Sequence, residues 1–167
     1  HLSKKDYLCA LTVVVIWGLN FVVMKIGLKG LSPMMLGALR FALAAFPLVL
    51  FVRPPRLPWQ WIAAYGLLQG LGQFGLLFTA LKFGMPAGMA SLVIQTQAFF
   101  TLLLAAPALR ERARPHHWAG LGVAALGLAV IAGGRGEGPG QMPMLGFVLT
   151  LGAAFMWATS NIVVRLA

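Results

Sequence analysis

The polar side chains of this sequence that could bind a ligand lie mostly inside long apolar runs. Gln69 and Gln73 occur four residues apart in the third such run, which is the spacing of one helix face. Gln95 lies in the fourth run. Amide side chains hydrogen-bond without carrying charge, so they either join neighbouring helices or line a polar cavity. Both interpretations remain open on the sequence alone.

Arg40 is a cation inside the second apolar run, several residues after Pro33. A charge at the centre of a membrane helix costs roughly 2.5–3.5 kcal/mol on insertion scales. The side chain could reach the headgroups, brace helix packing or contact an anionic group of a substrate. Because no acid lies nearby in sequence, we expect its partners to be backbone carbonyls, glutamine side chains or a substrate anion.

A tryptophan-led segment occurs twice. The segment 17–25 reads WGLNFVVMK and the segment 157–165 reads WATSNIVVR, and they align without a gap, with Trp17 on Trp157. A second copy of one opening, about 140 residues later, indicates a duplicated unit.

The two tryptophans each share a helix face with an asparagine. Trp17 lies three residues before Asn20, and Trp157 lies three residues before Ser160 and four before Asn161. If the two faces meet across a pseudo-two-fold axis, they form an aromatic-walled, uncharged site. The alternative is that the tryptophans only pack and the asparagines only bond to neighbouring helices.

Acidic residues and catalytic motifs are scarce. Asp6, Glu111 and Glu137 are the only acids, and all three lie in termini or loops, so these residues offer no buried carboxylate for proton coupling. The sequence has one cysteine, an adjacent histidine pair in a basic loop, and no GxSxG, HExxH or P-loop motif. We therefore expect no metal, no cofactor and no enzymatic activity.

Composition indicates a membrane protein. Hydrophobic residues make up 60% of the chain and charged residues 10%, with a mean hydropathy of +0.87. The net charge of +10 could indicate nucleic acid as a partner. However, Lys and Arg lie mainly between the apolar runs, as the positive-inside rule describes, so the expected partner is a lipid bilayer and not nucleic acid.

About six apolar runs are long enough to form membrane helices. The sequence therefore predicts an all-α, polytopic membrane helix bundle. The fifth helix is the weakest of the six because its length is near the lower limit. The predicted helices are Tyr7–Ile26, Pro33–Phe51, Trp59–Leu81, Ala87–Leu109, Trp118–Ala132 and Met144–Arg165.

Loop charges predict the orientation of these helices. The N-terminus, the second loop and the fourth loop are the more basic, so the N-terminus is expected in the cytoplasm. Five helices separate the two tryptophan-led segments, so the segments cross the membrane in opposite directions, as in inverted-repeat transporters. We expect a first repeat of five helices over residues 1–142 and the first helix of a second, truncated repeat over 143–167. The chain is thus expected to be a piece of a longer product.

Two long runs carry a further signal. The first is WGLNFVVMKIGLKGLSPMMLGALRFALAAFPL, and the second is LVIQTQAFFTLLLAAPALRERARPHHWAGLGVAALGLAVIA. Both runs resemble the EamA family of the drug/metabolite transporter superfamily. The resemblance implies ten helices in two inverted five-helix repeats, with both termini cytoplasmic. It also implies export of small metabolites, commonly amino acids, from a bacterial inner membrane. The most similar branch is that of the O-acetylserine/cysteine exporters.

The sequence thus predicts a secondary transporter that exports amino acids or cysteine-pathway intermediates by alternating access. Its expected partners are a small-molecule metabolite, the bilayer and the second repeat of the same chain, and a homodimer remains open. The alternatives are a membrane-embedded enzyme acting on lipid-linked substrates and a non-catalytic assembly or channel subunit. The candidate cavity residues are Trp17, Asn20, Arg40, Gln69, Gln73, Gln95, Trp157 and Asn161.

Overall fold

The computed structural model describes residues 4–52, 56–109, 114–133 and 143–167, and these form six long helices. This confirms the predicted all-helical fold, with helix ends within three residues of those predicted. The helices are α1 (Lys4–Gly27), α2 (Pro33–Phe51), α3 (Trp59–Lys82), α4 (Ala87–Ala108), α5 (Pro115–Gly133) and α6 (Met144–Leu166).

Within the described ranges, five of these helices are long and apolar enough to cross a membrane, namely all except α5. Several loop residues used to predict the orientation lie outside the described residues. They are Arg53, Arg110, Arg112 and Arg135. The acids Glu111 and Glu137 also lie outside the described residues.

Helix α2 begins at a capped turn and is interrupted near its end. The Ser32 side chain accepts a hydrogen bond from the backbone N–H of Met35, and Pro33 occupies the first turn, where its missing N–H does no harm. The regular helix ends at Ala45, and one more turn follows at Leu48–Phe51.

Helix α3 is not a regular α-helix throughout. A π-helical segment, Gly66–Phe74, separates the α-helical turns Trp59–Tyr65 and Gly75–Lys82. The sequence pattern predicted an uninterrupted helix here. Wide π turns inside α-helices occur frequently at functional sites, and this segment carries both Gln69 and Gln73.

The core lies where α6 packs along α3 and α4. Its centre consists of fully buried Phe78 and Leu81 on α3, Val93 on α4, and the small residues Ala154 and Ala158 on α6. Alanines at this contact let the helices approach closely, since packing drives helix association within a membrane. Helices α1 and α2 flank this core, and most of their side chains are exposed.

The glycines of α3 differ in how closely a neighbouring helix approaches them. The spacing of Gly66 and Gly70 suggests a close-packing face. Among the described residues, however, no atom lies within 4 Å of a Cβ added at Gly66. The tight position is Gly72, where an added Cβ would lie 3.0 Å from the side chain of Met156 on α6. Tertiary packing turns Gly72 toward α6 and leaves Gly66 exposed.

Two lysines join the ends of α1 and α3. Lys25 Nζ donates hydrogen bonds to the backbone oxygens of Leu81 (2.8 Å) and Met85 (3.0 Å). Lys82 Nζ donates in return to the backbone oxygen of Leu28 (2.8 Å). Helix C-termini leave carbonyls without partners and favour cations, so each lysine stabilises the end of the opposite helix.

Candidate functional site

One pocket brings together residues from α1, α2, α3, α4 and α6. Its volume is about 260 Å³. Six of the eight candidate cavity residues line it. These are Trp17, Asn20, Arg40, Gln69, Gln73 and Trp157.

The tryptophans of the two repeated segments meet at this pocket. The ring centroids of Trp17 and Trp157 are 5.6 Å apart, with the planes tilted by 34°. That separation is within the range of favourable aromatic pairs. Trp17 is 50% exposed among the described residues, so its ring both contacts its counterpart and remains accessible.

Arg40, one of the candidate cavity residues, adds a positive charge to this pocket. Its Nη1 donates a hydrogen bond of 2.7 Å to Asn20 Oδ1, and its Cζ lies 4.6 Å from the centre of the Phe74 ring. A cation over an aromatic face is stabilised by the ring quadrupole. The expected glutamine or backbone partners are thus replaced by an asparagine and a phenyl ring. None of the residues that line the pocket in the described structure is acidic.

The two pocket glutamines differ in their hydrogen bonding. The Ser160 hydroxyl lies 2.6 Å from Gln69 Oε1 and 2.7 Å from the backbone oxygen of Trp157, so it can donate to either. Gln73 is only 3% exposed, and its Oε1 has no hydrogen-bond donor in the described part of the chain. Gln73 therefore presents a buried acceptor without a partner.

Gln95 and Asn161 lie outside this pocket. Gln95 is exposed in a groove between α1 and α4, because Ile94 rather than Gln95 faces the pocket. Asn161 follows Ser160 by one residue, which turns it toward α4. There its Nδ2 donates to Gln97 Oε1 (3.1 Å) and approaches Thr101 Oγ1 (3.3 Å).

The remaining lining of the pocket is apolar and was not singled out from the sequence. Phe74 matters most, since its ring lies beneath the Arg40 guanidinium. An apolar residue within an apolar run gives no sequence signal that it faces a pocket. The other apolar residues that line the pocket are Ile16, Phe21, Met24, Leu77 and Ile94. The described residues contain no group of three or more histidine, cysteine or acidic side chains that could hold a metal ion.

Residues 4–133 match the model of the EamA-like transporter family. The chain belongs to this family. Family membership identifies it as part of a transporter rather than an enzyme, which excludes the alternative of an enzyme on lipid-linked substrates. The helices and the family together show a multi-pass membrane protein.

Individual relatives cover nearly all of this EamA-like chain. It is 50% identical over 161 residues to a protein of Escherichia coli K12 described as a probable amino-acid metabolite efflux pump. The match covers 96% of this chain and 54% of the relative. A Salmonella typhimurium protein of the same description matches equally. The inner membrane transporter YedA of E. coli K12 is 27% identical over 155 residues, covering 89% of this chain and 49% of YedA.

The chain spans about half the length of these curated relatives. No solved structure matches it significantly.

Proposed function

We propose that the full-length protein containing this chain exports amino-acid metabolites across the bacterial inner membrane. The single observation that carries this proposal is the pocket between α1, α2, α3, α4 and α6, which joins an aromatic pair, amides and one cation. The 50% identity to proteins described as probable amino-acid metabolite efflux pumps supports the same substrate class.

The size of the pocket favours a small metabolite. Its volume of about 260 Å³ lies just below the roughly 300–1,000 Å³ typical of sites for drug-sized ligands. The lining offers aromatic surface and neutral hydrogen-bonding groups, with Arg40 as its cation. Such a lining suits a neutral or zwitterionic molecule better than a dianion or a polycation.

The proposed mechanism is alternating access around this pocket. Inverted-repeat transporters place their substrate near the midplane between the two repeats and open it to each side in turn. Contact between Trp17 and Trp157, which belong to corresponding segments, supports a site on the pseudo-two-fold axis. We propose five helices in the first repeat, residues 1–142, and a second repeat that begins at 143–167 and completes ten helices. The N-terminus would lie in the cytoplasm.

The test is uptake of labelled amino acids and cysteine-pathway intermediates by the full-length protein in liposomes, with and without a proton gradient. We expect saturable uptake that Trp17→Ala and Trp157→Ala reduce by tenfold or more. Trp59→Ala is the matched control, because Trp59 is 74% exposed at the start of α3 and does not line the pocket. Equal losses in all three variants, or no uptake by folded protein, would contradict the proposal.

A further inference from the structure

Gln73 holds a polar atom that the described chain leaves unsatisfied. Its side chain lines the pocket, is 3% exposed, and keeps Oε1 away from every donor among the described residues. Buried polar atoms are nearly always paired, because an unpaired acceptor loses its water without gaining a partner. Apolar members of the lining, such as Leu77 and Ile94, carry no donor. A ligand that supplies an N–H group would satisfy this oxygen.

Arg40 lacks an anionic partner for its donors, whereas Gln73 Oε1 lacks a donor. A guanidinium presents five N–H donors, and its recorded partners are the single oxygen of Asn20 and the face of Phe74. Neither partner neutralises the charge, and the described lining contributes no acid. Arg binds carboxylates through two parallel hydrogen bonds, which are stronger than bonds between neutral groups. A ligand carboxylate would supply the missing negative charge.

Phe74 shows that Arg40 lies next to the segment that carries Gln73. It follows Gln73 directly in the π-helical segment, and its ring lies 4.6 Å from the Arg40 Cζ. The guanidinium therefore lies alongside the segment that carries the unpaired acceptor. Gln69 is less suited to the same role, since its Oε1 already has the Ser160 hydroxyl at 2.6 Å.

We infer that the pocket binds the head group of an amino acid in one fixed orientation, with its carboxylate on Arg40 and its ammonium on Gln73 Oε1. This inference rests on the proposed export of amino-acid metabolites and names the residues that recognise the zwitterion. The ligand's side chain would then contact the aromatic rings of Trp17 and Trp157. A neutral acceptor at position 73 suits a transporter, because a carboxylate there would pair with Arg40 and compete with the ligand.

The experiment measures uptake of labelled L-cysteine by the full-length protein in liposomes under reducing conditions. The unlabelled competitors are cysteamine, which lacks the carboxylate, and 3-mercaptopropionate, which lacks the ammonium group. A parallel series uses L-serine, ethanolamine and 3-hydroxypropionate. The variants are Gln73→Leu, Gln73→Glu and Arg40→Gln. Gln60→Leu makes the same chemical change at an exposed position of α3 outside the pocket.

The wild-type protein is expected to prefer cysteine to both competitors by about tenfold or more, as the loss of one charge-assisted hydrogen bond implies. Gln73→Leu should abolish the preference over 3-mercaptopropionate and leave the preference over cysteamine. Arg40→Gln should do the reverse. Gln73→Glu should keep the preference for an ammonium group but weaken the preference over cysteamine, because the new carboxylate competes with the ligand carboxylate for Arg40. Gln60→Leu should change neither preference.

The outcomes separate this inference from the proposed function. If the folded wild-type protein takes up none of the labelled amino acids or cysteine-pathway intermediates, the proposed function fails and the inference fails with it. If it takes up cysteine and Gln73→Leu keeps its preference for cysteine over 3-mercaptopropionate, the inference is overturned while the proposed function stands. Misfolding is not expected to obscure the result, since leucine removes a buried oxygen that has no donor among the described residues, and the melting temperature should be equal or higher.

Discussion

Arg40 is held in the pocket by neutral groups, and this arrangement keeps its charge available. Asn20 Oδ1 accepts one hydrogen bond from the guanidinium, and Phe74 provides a π face on one side. An acid in place of Asn20 would form an internal ion pair and remove that charge from ligand binding.

The first prediction follows from this geometry. Asn20→Asp should raise the melting temperature of the full-length protein in detergent, because Arg40 gains an ionic partner at 2.7 Å. The same variant should take up cysteine with an apparent affinity lower by about tenfold, since the aspartate competes with the ligand carboxylate. Asn20→Ala should lower both the melting temperature and the affinity. An Asn20→Asp protein that is more stable yet binds cysteine as well as the wild type would contradict the assigned role of Arg40.

Some of these residue placements were predictable from the sequence and others were not. The alignment of their segments suggested one arrangement in which Trp17 and Trp157 face each other, and their rings do lie 5.6 Å apart. Gln69 and Gln73 were expected on one face because they are four residues apart, and both line the pocket. The placement of Arg40 over Phe74 depends on how α2 packs against α3, and the residue spacing within either helix does not predict it. Whether these residues bind a substrate stays a prediction.

At the scale of the helices, the contact of α3 with α6 depends on a glycine in the π-helical segment. A Cβ at Gly72 would lie 3.0 Å from Met156 Cγ and 3.2 Å from its Cβ. Met156 must then give way by a few tenths of an ångström, and overpacking of this kind destabilises by about 1–3 kcal/mol.

The second prediction compares two glycines of that segment. Gly72→Ala should lower the melting temperature of the protein, whereas Gly66→Ala should leave it unchanged or raise it slightly. Gly66 is exposed, and the described residues leave space for its Cβ. Alanine also favours helix over glycine by about 1 kcal/mol. Equal effects of the two substitutions would show that α3 and α6 do not pack as described.

The third prediction concerns the lysines that join α1 to α3. Lys25→Met keeps the apolar stem but removes the hydrogen bonds to the backbone oxygens of Leu81 and Met85. We expect a loss of about 1.5–3 kcal/mol in stability, as for hydrogen bonds to charged groups. Lys29→Met, at an exposed position just beyond the end of α1, is the control and should have little effect. Thermal unfolding in detergent measures the stability of both variants. An unchanged stability of Lys25→Met would contradict the stabilising role of Lys25.

Helix existence was predictable because apolar length alone determines it in a membrane, whereas the internal geometry of α3 was not. The segments of α1 and α6 were placed within three residues of their observed ends. The π-helical turns at Gly66–Phe74 leave no pattern of apolar or polar residues that separates them from α-helical turns. A Cβ added at Gly66 would meet nothing within 4 Å among the described residues, whereas one at Gly70 would meet only the Phe41 ring of α2 at 3.9 Å. Sequence spacing does not fix which face of α3 meets α6.

For the whole molecule, the orientation of the helices remains a prediction from loop charges. The fourth prediction uses single cysteines placed in a full-length protein from which the native cysteines have been removed. Gly30→Cys lies between α1 and α2, and His116→Cys lies at the start of α5. A membrane-impermeant maleimide should label position 30 in intact spheroplasts and position 116 only after lysis. The opposite pattern would place the N-terminus outside the cytoplasm.

The central claim is that the transported metabolite occupies the pocket between α1, α2, α3, α4 and α6. The most direct measurement uses Ile16→Cys, since Ile16 lines this pocket and is 59% exposed. Val15→Cys is its control. Val15 directly precedes Ile16 in α1 and is 51% exposed, but it does not line the pocket. Saturating cysteine-pathway substrate should slow methanethiosulfonate labelling of Ile16→Cys and leave Val15→Cys unchanged. Unaltered labelling of Ile16→Cys, in protein that transports that substrate, would place the transport path elsewhere.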